Sequence, residues 1–151
     1  MNTRTTVGNG AFAGAVAALL WAAQQPFDKR LFRSGYDDVE LLGKLVTRGR
    51  TWLPVGVLLH VGNGAIFGAV FALMKPALPG TPVTQGLGAA MVEHFGLWPL
   101  GRVSDRFHPA RRELPKLTGN RRALAQATWR HALFGVTLGV VENRLNADFA
   151  P

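Results

Sequence analysis

Apolar and polar positions are gathered into long blocks along this chain rather than interleaved. Asp, Glu, Lys and Arg are absent from residues 5–23, 51–74 and 76–92. Three stretches built on these gaps, 5–23, 53–74 and 82–101, approach the roughly 20 predominantly apolar residues that a helix needs to cross a bilayer. A fourth, 123–142, has the length but carries Arg130, His131 and Glu142. Thr81 before Pro82 predicts an N-cap and a first-turn proline for the third stretch, and Asn120 can cap the fourth. Within the loop 24–52, Val39, Leu42 and Val46 fall at helical spacing and Glu40 precedes Lys44 by one turn. That pattern predicts a short amphipathic helix lying at a membrane surface. The expected fold is therefore all-α: a single domain over 1–151, an integral membrane bundle of four transmembrane helices plus one interfacial helix.

The first two apolar stretches share a repeat. Residues 7-VGNGAFAGAVAAL-19 match 61-VGNGAIFGAVFAL-73 at ten of thirteen positions. Each copy holds two glycines four apart, Gly10 with Gly14 and Gly64 with Gly68, and Gly135 with Gly139 repeats the spacing in the fourth stretch. In lipid no hydrophobic force drives helices together, so small residues four apart serve as grooves for close backbone approach. The repeat thus reads first as a helix-packing device, with Asn9 and Asn63 available for interhelical hydrogen bonds. Its internal recurrence argues against reading the first copy as a cleaved signal peptide.

Charge adds an orientation. The net charge is +8, with Arg outnumbering Lys 13 to 4. Six of these basic residues lie in 24–52 and seven in 102–122, against one in 75–81. By the positive-inside rule the two basic loops face the cytoplasm, where they attract anionic lipid headgroups, and both termini lie outside. The mean hydropathy of +0.12 averages over this segregation and hides it. No basic run is interleaved with the aromatics that stack nucleobases, so nucleic acid is not an expected partner. Absence of cysteine removes disulfides, thiolate metal sites and thiol catalysis. Trp21, Trp52, Trp98 and Trp129 fall towards one end of their spans, as an anchoring aromatic belt would.

Candidate chemistry is confined to ionisable groups inside the spans, where they are costly and commonly functional. His60, Glu93, His94 and His131 all lie roughly 10–12 Å from the inner boundary at 1.5 Å rise per residue. Neutral imidazoles with a carboxylate can ligate zinc, iron or copper, and two histidines can hold a haem iron. Without metal, such a layer binds and releases protons. A purely structural reading pairs Glu93 with Arg130 as a buried ion pair. Adjacent Glu93 and His94 point about 100° apart, so at most one faces the bundle axis squarely. Glu142 shares a stripe with His131, Gly135 and Leu138, and Arg144 is its nearby candidate partner. No nucleophile with a base and no phosphate cradle is present, so no catalytic residue is assigned.

The segment 131-HALFGVTLGVVENRL-145 resembles the final helix of several small four-span bacterial inner-membrane families, including the YagU-type proteins. Those share a histidine followed by spaced glycines, often after a span with a Glu-His near its inner end, as in 93-EHFGLW-98. The resemblance covers chiefly the last two spans and implies an inner-membrane location. It brings no activity, cofactor or site residue with it. The leading expectation is an accessory or assembly subunit that packs through glycine faces around a buried His/Glu layer, beside a membrane-protein partner or a second copy. The alternative is a proton- or ion-conducting, or metal- or haem-binding, membrane protein using that layer.

Overall fold

The computed structural model describes residues 3–147, which are helical and contain no strand. Helix α1 spans Thr3–Phe32, α2 Asp38–Val46, α3 Trp52–Met74, α4 Pro82–Leu97, α5 Gly101–Phe107 and α6 Arg121–Ala147. Helices α1 and α3 are long and apolar enough to cross a membrane. The other two expected spans do not meet that test: α4 is 16 residues long, and α6 carries charge.

Local signals account for most of the boundaries. Asp37 caps α2 by accepting from Glu40 N at 2.9 Å. Thr81 and Thr84 form a reciprocal capping box at the start of α4, with Pro82 in the first turn. Asn120 accepts from Ala123 N at 3.0 Å and so starts α6. The end of α1 differs from expectation. The first apolar stretch closes at residue 23, yet the helix runs through Pro26 to Phe32. A proline removes one ladder hydrogen bond, and here the extra turns bring Asp28 into a buried network described below. Arg33 then adopts a left-handed conformation (φ 48°), and Ser34 N closes the helix end on Lys29 O at 3.2 Å.

Antiparallel pairs of helices meet on their glycines. A Cβ at Gly14 would lie 2.9 Å from the Gly64 carbonyl carbon, and one at Gly64 would lie 2.6 Å from Ala18 Cβ. Gly10 faces Gly68 and Ala72 in the same seam, so α1 and α3 touch backbone to backbone. Helices α4 and α6 repeat the arrangement: Gly86 meets Gly135 and Gly139, and Gly139 meets Pro82. A third close approach joins α2 to α3 where Gly43 meets Trp52 and Gly56 meets Val39. Helix α1 also packs on α6, giving the order α3–α1–α6–α4, while α3 and α4 lack an extensive contact with each other.

Both basic segments gather at one end of this row. Lys44 bridges Glu40 at 2.8 Å within α2 and Glu113 at 2.9 Å in the α5–α6 connection. His108 is buried between the same elements, accepting from Ala110 N at Nδ1 (3.1 Å) and donating from Nε2 to Leu41 O (3.0 Å). Asp105 ties the connection down by accepting from Leu117 N and Thr118 N, each at 2.8 Å. Burial pushes its carboxyl up, but these hydrogen bonds outweigh that and hold it below the usual carboxylate range. At the opposite end, Asn9 donates to Leu145 O (3.2 Å) and Asn146 Oδ1 (2.7 Å), joining α1 to α6.

Candidate functional site

Arg130 is the centre of the interior. Its side chain is 0% exposed and lies on α6 one turn beyond Gln126, which is equally buried. Its Nε and Nη2 donate to the two Asp28 oxygens at 2.5 and 2.6 Å, a bidentate clasp, and Nη1 donates to Asp38 Oδ2 at 2.7 Å. Gln126 Nε2 adds a donor to Asp28 at 2.6 Å, and Gln24 Nε2 adds another at 2.5 Å. Asp38 also accepts from Trp21 Nε1 at 3.2 Å and from the Tyr36 hydroxyl. Every polar atom of Asp28, Asp38 and Arg130 thus has a hydrogen-bond partner, and two carboxyl groups face one guanidinium.

This network corrects two expectations. Arg130 pairs with Asp28 and Asp38, not with Glu93, because Pro26 does not stop α1 and Asp28 arrives at its level. Trp21 is not an interfacial anchor: it is 5% exposed, and its indole is held by Asp38. The other indoles differ in setting. Trp129 is 42% exposed, Trp52 lies beneath Lys44, and Trp98 stands beside His94 and Tyr36.

Of the expected polar layer, Glu93, His94 and His131 come together. The His94 and His131 ring centroids are 4.4 Å apart, and His131 Nε2 lies 3.1 Å from Glu93 Oε2. His60 stands on the far side of Trp21, whose indole meets the His60 ring at 5.1 Å and the His131 ring at 4.6 Å, both edge-on. The indole occupies the space a shared iron would need between those imidazoles. Among the described residues no group of three or more His, Asp or Glu side chains is arranged to hold a metal ion. The residues therefore do not fit the multi-ligand metal site considered from sequence, and Trp21 bars a haem iron between His60 and His131. Asn63 is exposed on the same side of α3 as the cleft described next. Glu142 sits at the opposite end, 1% exposed, where Lys75 reaches it at 2.5 Å and Asn146 at 2.6 Å; Lys75, not Arg144, is its partner.

Hydrogen-bond directions constrain the protons. The Ala127 carbonyl can only accept, so the 2.7 Å contact from His131 Nδ1 places a hydrogen on Nδ1. If neutral, the ring would then turn the bare lone pair of Nε2 towards a carboxylate oxygen. The 3.1 Å contact with Glu93 is a hydrogen bond only when a further proton lies between Nε2 and Oε2, on either partner. Thr128 spends its hydroxyl hydrogen on Leu124 O at 2.9 Å, so His94 Nε2 carries the hydrogen in its 2.9 Å bond to Thr128 Oγ1. His60 Nε2 is buried without a partner.

These groups border a cleft of about 360 Å³ between α3 and α4, backed by α1 and α6 and closed at one end by α2 and α5. Its volume is that of a small-molecule site. His60, Glu93, His94, His131 and Asp38 supply polar wall, and Trp21, Tyr36, Phe67, Trp98 and Phe134 supply aromatic wall. Sequence reasoning missed Asp28, Asp38, Tyr36 and Gln126. A signal existed: Trp21, Gln24, Gln25 and Asp28 are spaced i, i+3, i+4, i+7, a polar stripe continuing the first helix past Pro26.

Compared with known protein families, curated proteins and solved structures, the chain finds no match.

Proposed function

We propose that this is a four-span integral membrane protein that binds a small amphipathic molecule in the α3–α4 cleft, beside a proton held between Glu93 and His131. Two observations support the span count beyond α1 and α3. The charges that lower the hydropathy of α6, Arg130 and Glu142, are 0% and 1% exposed and compensated inside the protein. Meanwhile large apolar side chains point outward on α3 and α4: Leu58 is 73%, Ile66 67% and Val92 77% exposed. Only 33% and 28% of the apolar windows of α1 and α3 is buried within the chain, which suits lipid contact rather than a soluble core. The basic ends, gathered on one side, fit an inner-membrane orientation with those loops in the cytoplasm against anionic headgroups and both termini outside.

The single observation carrying the functional reading is the contact of His131 Nε2 with Glu93 Oε2, its Nδ1 bonded to Ala127 O, at the wall of a ligand-sized cleft. In the wild type, nitrogen-15 spectra should show hydrogen on both ring nitrogens of His131, or infrared spectra should show a protonated carboxyl band that Glu93→Gln removes. In that variant the amide replaces the proton as donor, and His131 should keep hydrogen on Nδ1 alone. A wild type with a bare Nε2 and no acid band would end this reading.

The accessory-subunit reading remains a second proposal, supported now by the exposed apolar faces. The glycine faces it invoked are occupied within the chain.

A further inference from the structure

Ligand chemistry can be read from the charge of the cleft wall. Neither Lys nor Arg lines it, whereas two carboxylates, Asp38 and Glu93, do. The nearest guanidinium, Arg130, is wholly buried, with all three of its nitrogens committed to Asp28 and Asp38. Two carboxyl groups thus face that one guanidinium, and Glu93 adds a third carboxyl group to the cleft wall. Trp21, Tyr36 and Trp98 present aromatic surface to the same space, which attracts cations through the ring quadrupole. Independently, His60 is 7% exposed, lines the cleft, and has an unpartnered Nε2. An orphaned polar atom in a binding wall is satisfied by a ligand donor, and an ammonium N–H is such a donor.

We infer that the cleft takes an amphipathic organic cation, an ammonium head with an apolar or aryl body, in exchange for the proton shared by Glu93 and His131. The inference rests on the reading of the cleft as a ligand site. The exchange balances: one cation enters beside the Glu93 carboxylate, His131 is left neutral with hydrogen on Nδ1, and one proton leaves to solvent. No covalent bond to the ligand forms. The charged and titratable groups around the pair are Asp38 and Tyr36 at the start of α2 and His94 on α4 itself, with His60 on α3 beyond Trp21 and with Arg130 on α6 and Asp28 on α1 buried behind the wall. Among them Asp38 and Arg130 are engaged with each other, leaving the Glu93–His131 proton as the one the ligand displaces.

A matched pair of probes separates charge from shape. Benzyltrimethylammonium is cationic at every pH, and neopentylbenzene is its neutral isostere; having no N–H, this cation tests the charge of the site and not the His60 contact. Calorimetric titration of the whole chain in lipid nanodiscs should show the cation binding more tightly with rising pH, towards tenfold per unit while the pair is protonated, with one proton released to buffer. Neopentylbenzene should bind without pH dependence. Glu93→Gln should weaken the cation at least tenfold and abolish its pH slope while changing neopentylbenzene far less, with folding of the variant checked by its helical circular dichroism. Trp98→Leu should weaken the cation more than the isostere. Should Glu93→Gln fail to fold, the wild-type pH slope and proton release still decide. Neopentylbenzene binding with no preference for the cation, or cation binding indifferent to pH, overturns the inference and leaves the ligand reading standing. Binding of neither overturns both.

Discussion

At the scale of single residues, Arg130 shows how a charge becomes tolerable inside an apolar protein. Its donors are met by two carboxylates, and those carboxylates are met in turn by Gln24, Gln126, Trp21 and Tyr36. Breaking such an arrangement costs more than its formation gains, because an unpaired buried ion remains. Arg130→Met should therefore destabilise the protein by about 3–5 kcal/mol, read from unfolding in mild detergent. Asp28→Asn should cost less, since Asp38 still balances the guanidinium. The double variant should fall well short of the sum of the two single effects, because the residues act as one network. Additive effects would show that Asp28 and Arg130 do not share a stabilising contact. The two asparagines of the repeat make the complementary point: Asn9 bonds across to α6, whereas Asn63 faces the cleft, so identical local sequence carries different roles.

At the scale of helices, the seams set what substitutions are possible. Gly14 and Gly64 lie where a Cβ would meet the facing helix, while Gly62 and Gly88 have nothing within 4 Å of an added Cβ. Gly14→Ala should cost about 1–3 kcal/mol by forcing α1 from α3. Gly62→Ala and Gly88→Ala should be neutral or stabilise by up to about 1 kcal/mol through helix propensity. Thermal unfolding of the three variants side by side distinguishes a seam from a run of permissive glycines; equal effects would remove the seam. The same two-sided demand explains why α1 outlasts its apolar stretch. Proline weakens a helix locally, but Asp28 beyond it reaches Gln126 and Arg130 only if the helix continues.

At the scale of the whole molecule, the open question is how many helices cross lipid. The chain has no cysteine, so single introduced thiols report sidedness without background. In intact cells or sealed vesicles, Gly49→Cys and Thr118→Cys should share one sidedness towards a membrane-impermeant maleimide, and Pro79→Cys should show the other. If α1 and α3 alone cross, residues 79 and 118 would lie outside the lipid on opposite sides of no barrier, and Pro79→Cys and Thr118→Cys would react alike. The closing of one end of the cleft by α2 and α5 also belongs to this scale, since it depends on Lys44–Glu113 and His108–Leu41 contacts between segments far apart in sequence.

Sequence by itself determined the helical class, two apolar helices long enough to cross a membrane, a short helix in the 24–52 loop and the caps at Thr81 and Asn120. These depend on composition and on spacings within a few residues, where hydrogen bonding and periodicity are local. It also marked His60, Glu93, His94 and His131 as one layer, because helical rise converts position in a span into depth; the last three meet, and Trp21 stands between them and His60. Tertiary structure alone decided the partners. Which carboxylate meets Arg130, which basic residue meets Glu142, and that an indole separates His60 from His131 all depend on helix rotation and neighbour order. Those follow from backbone contact at glycine seams between distant segments, and no local pattern encodes them. The contact between Glu93 and His131 belongs there too: a carbonyl on the same helix holds one ring nitrogen, and a carboxylate on another helix faces the second.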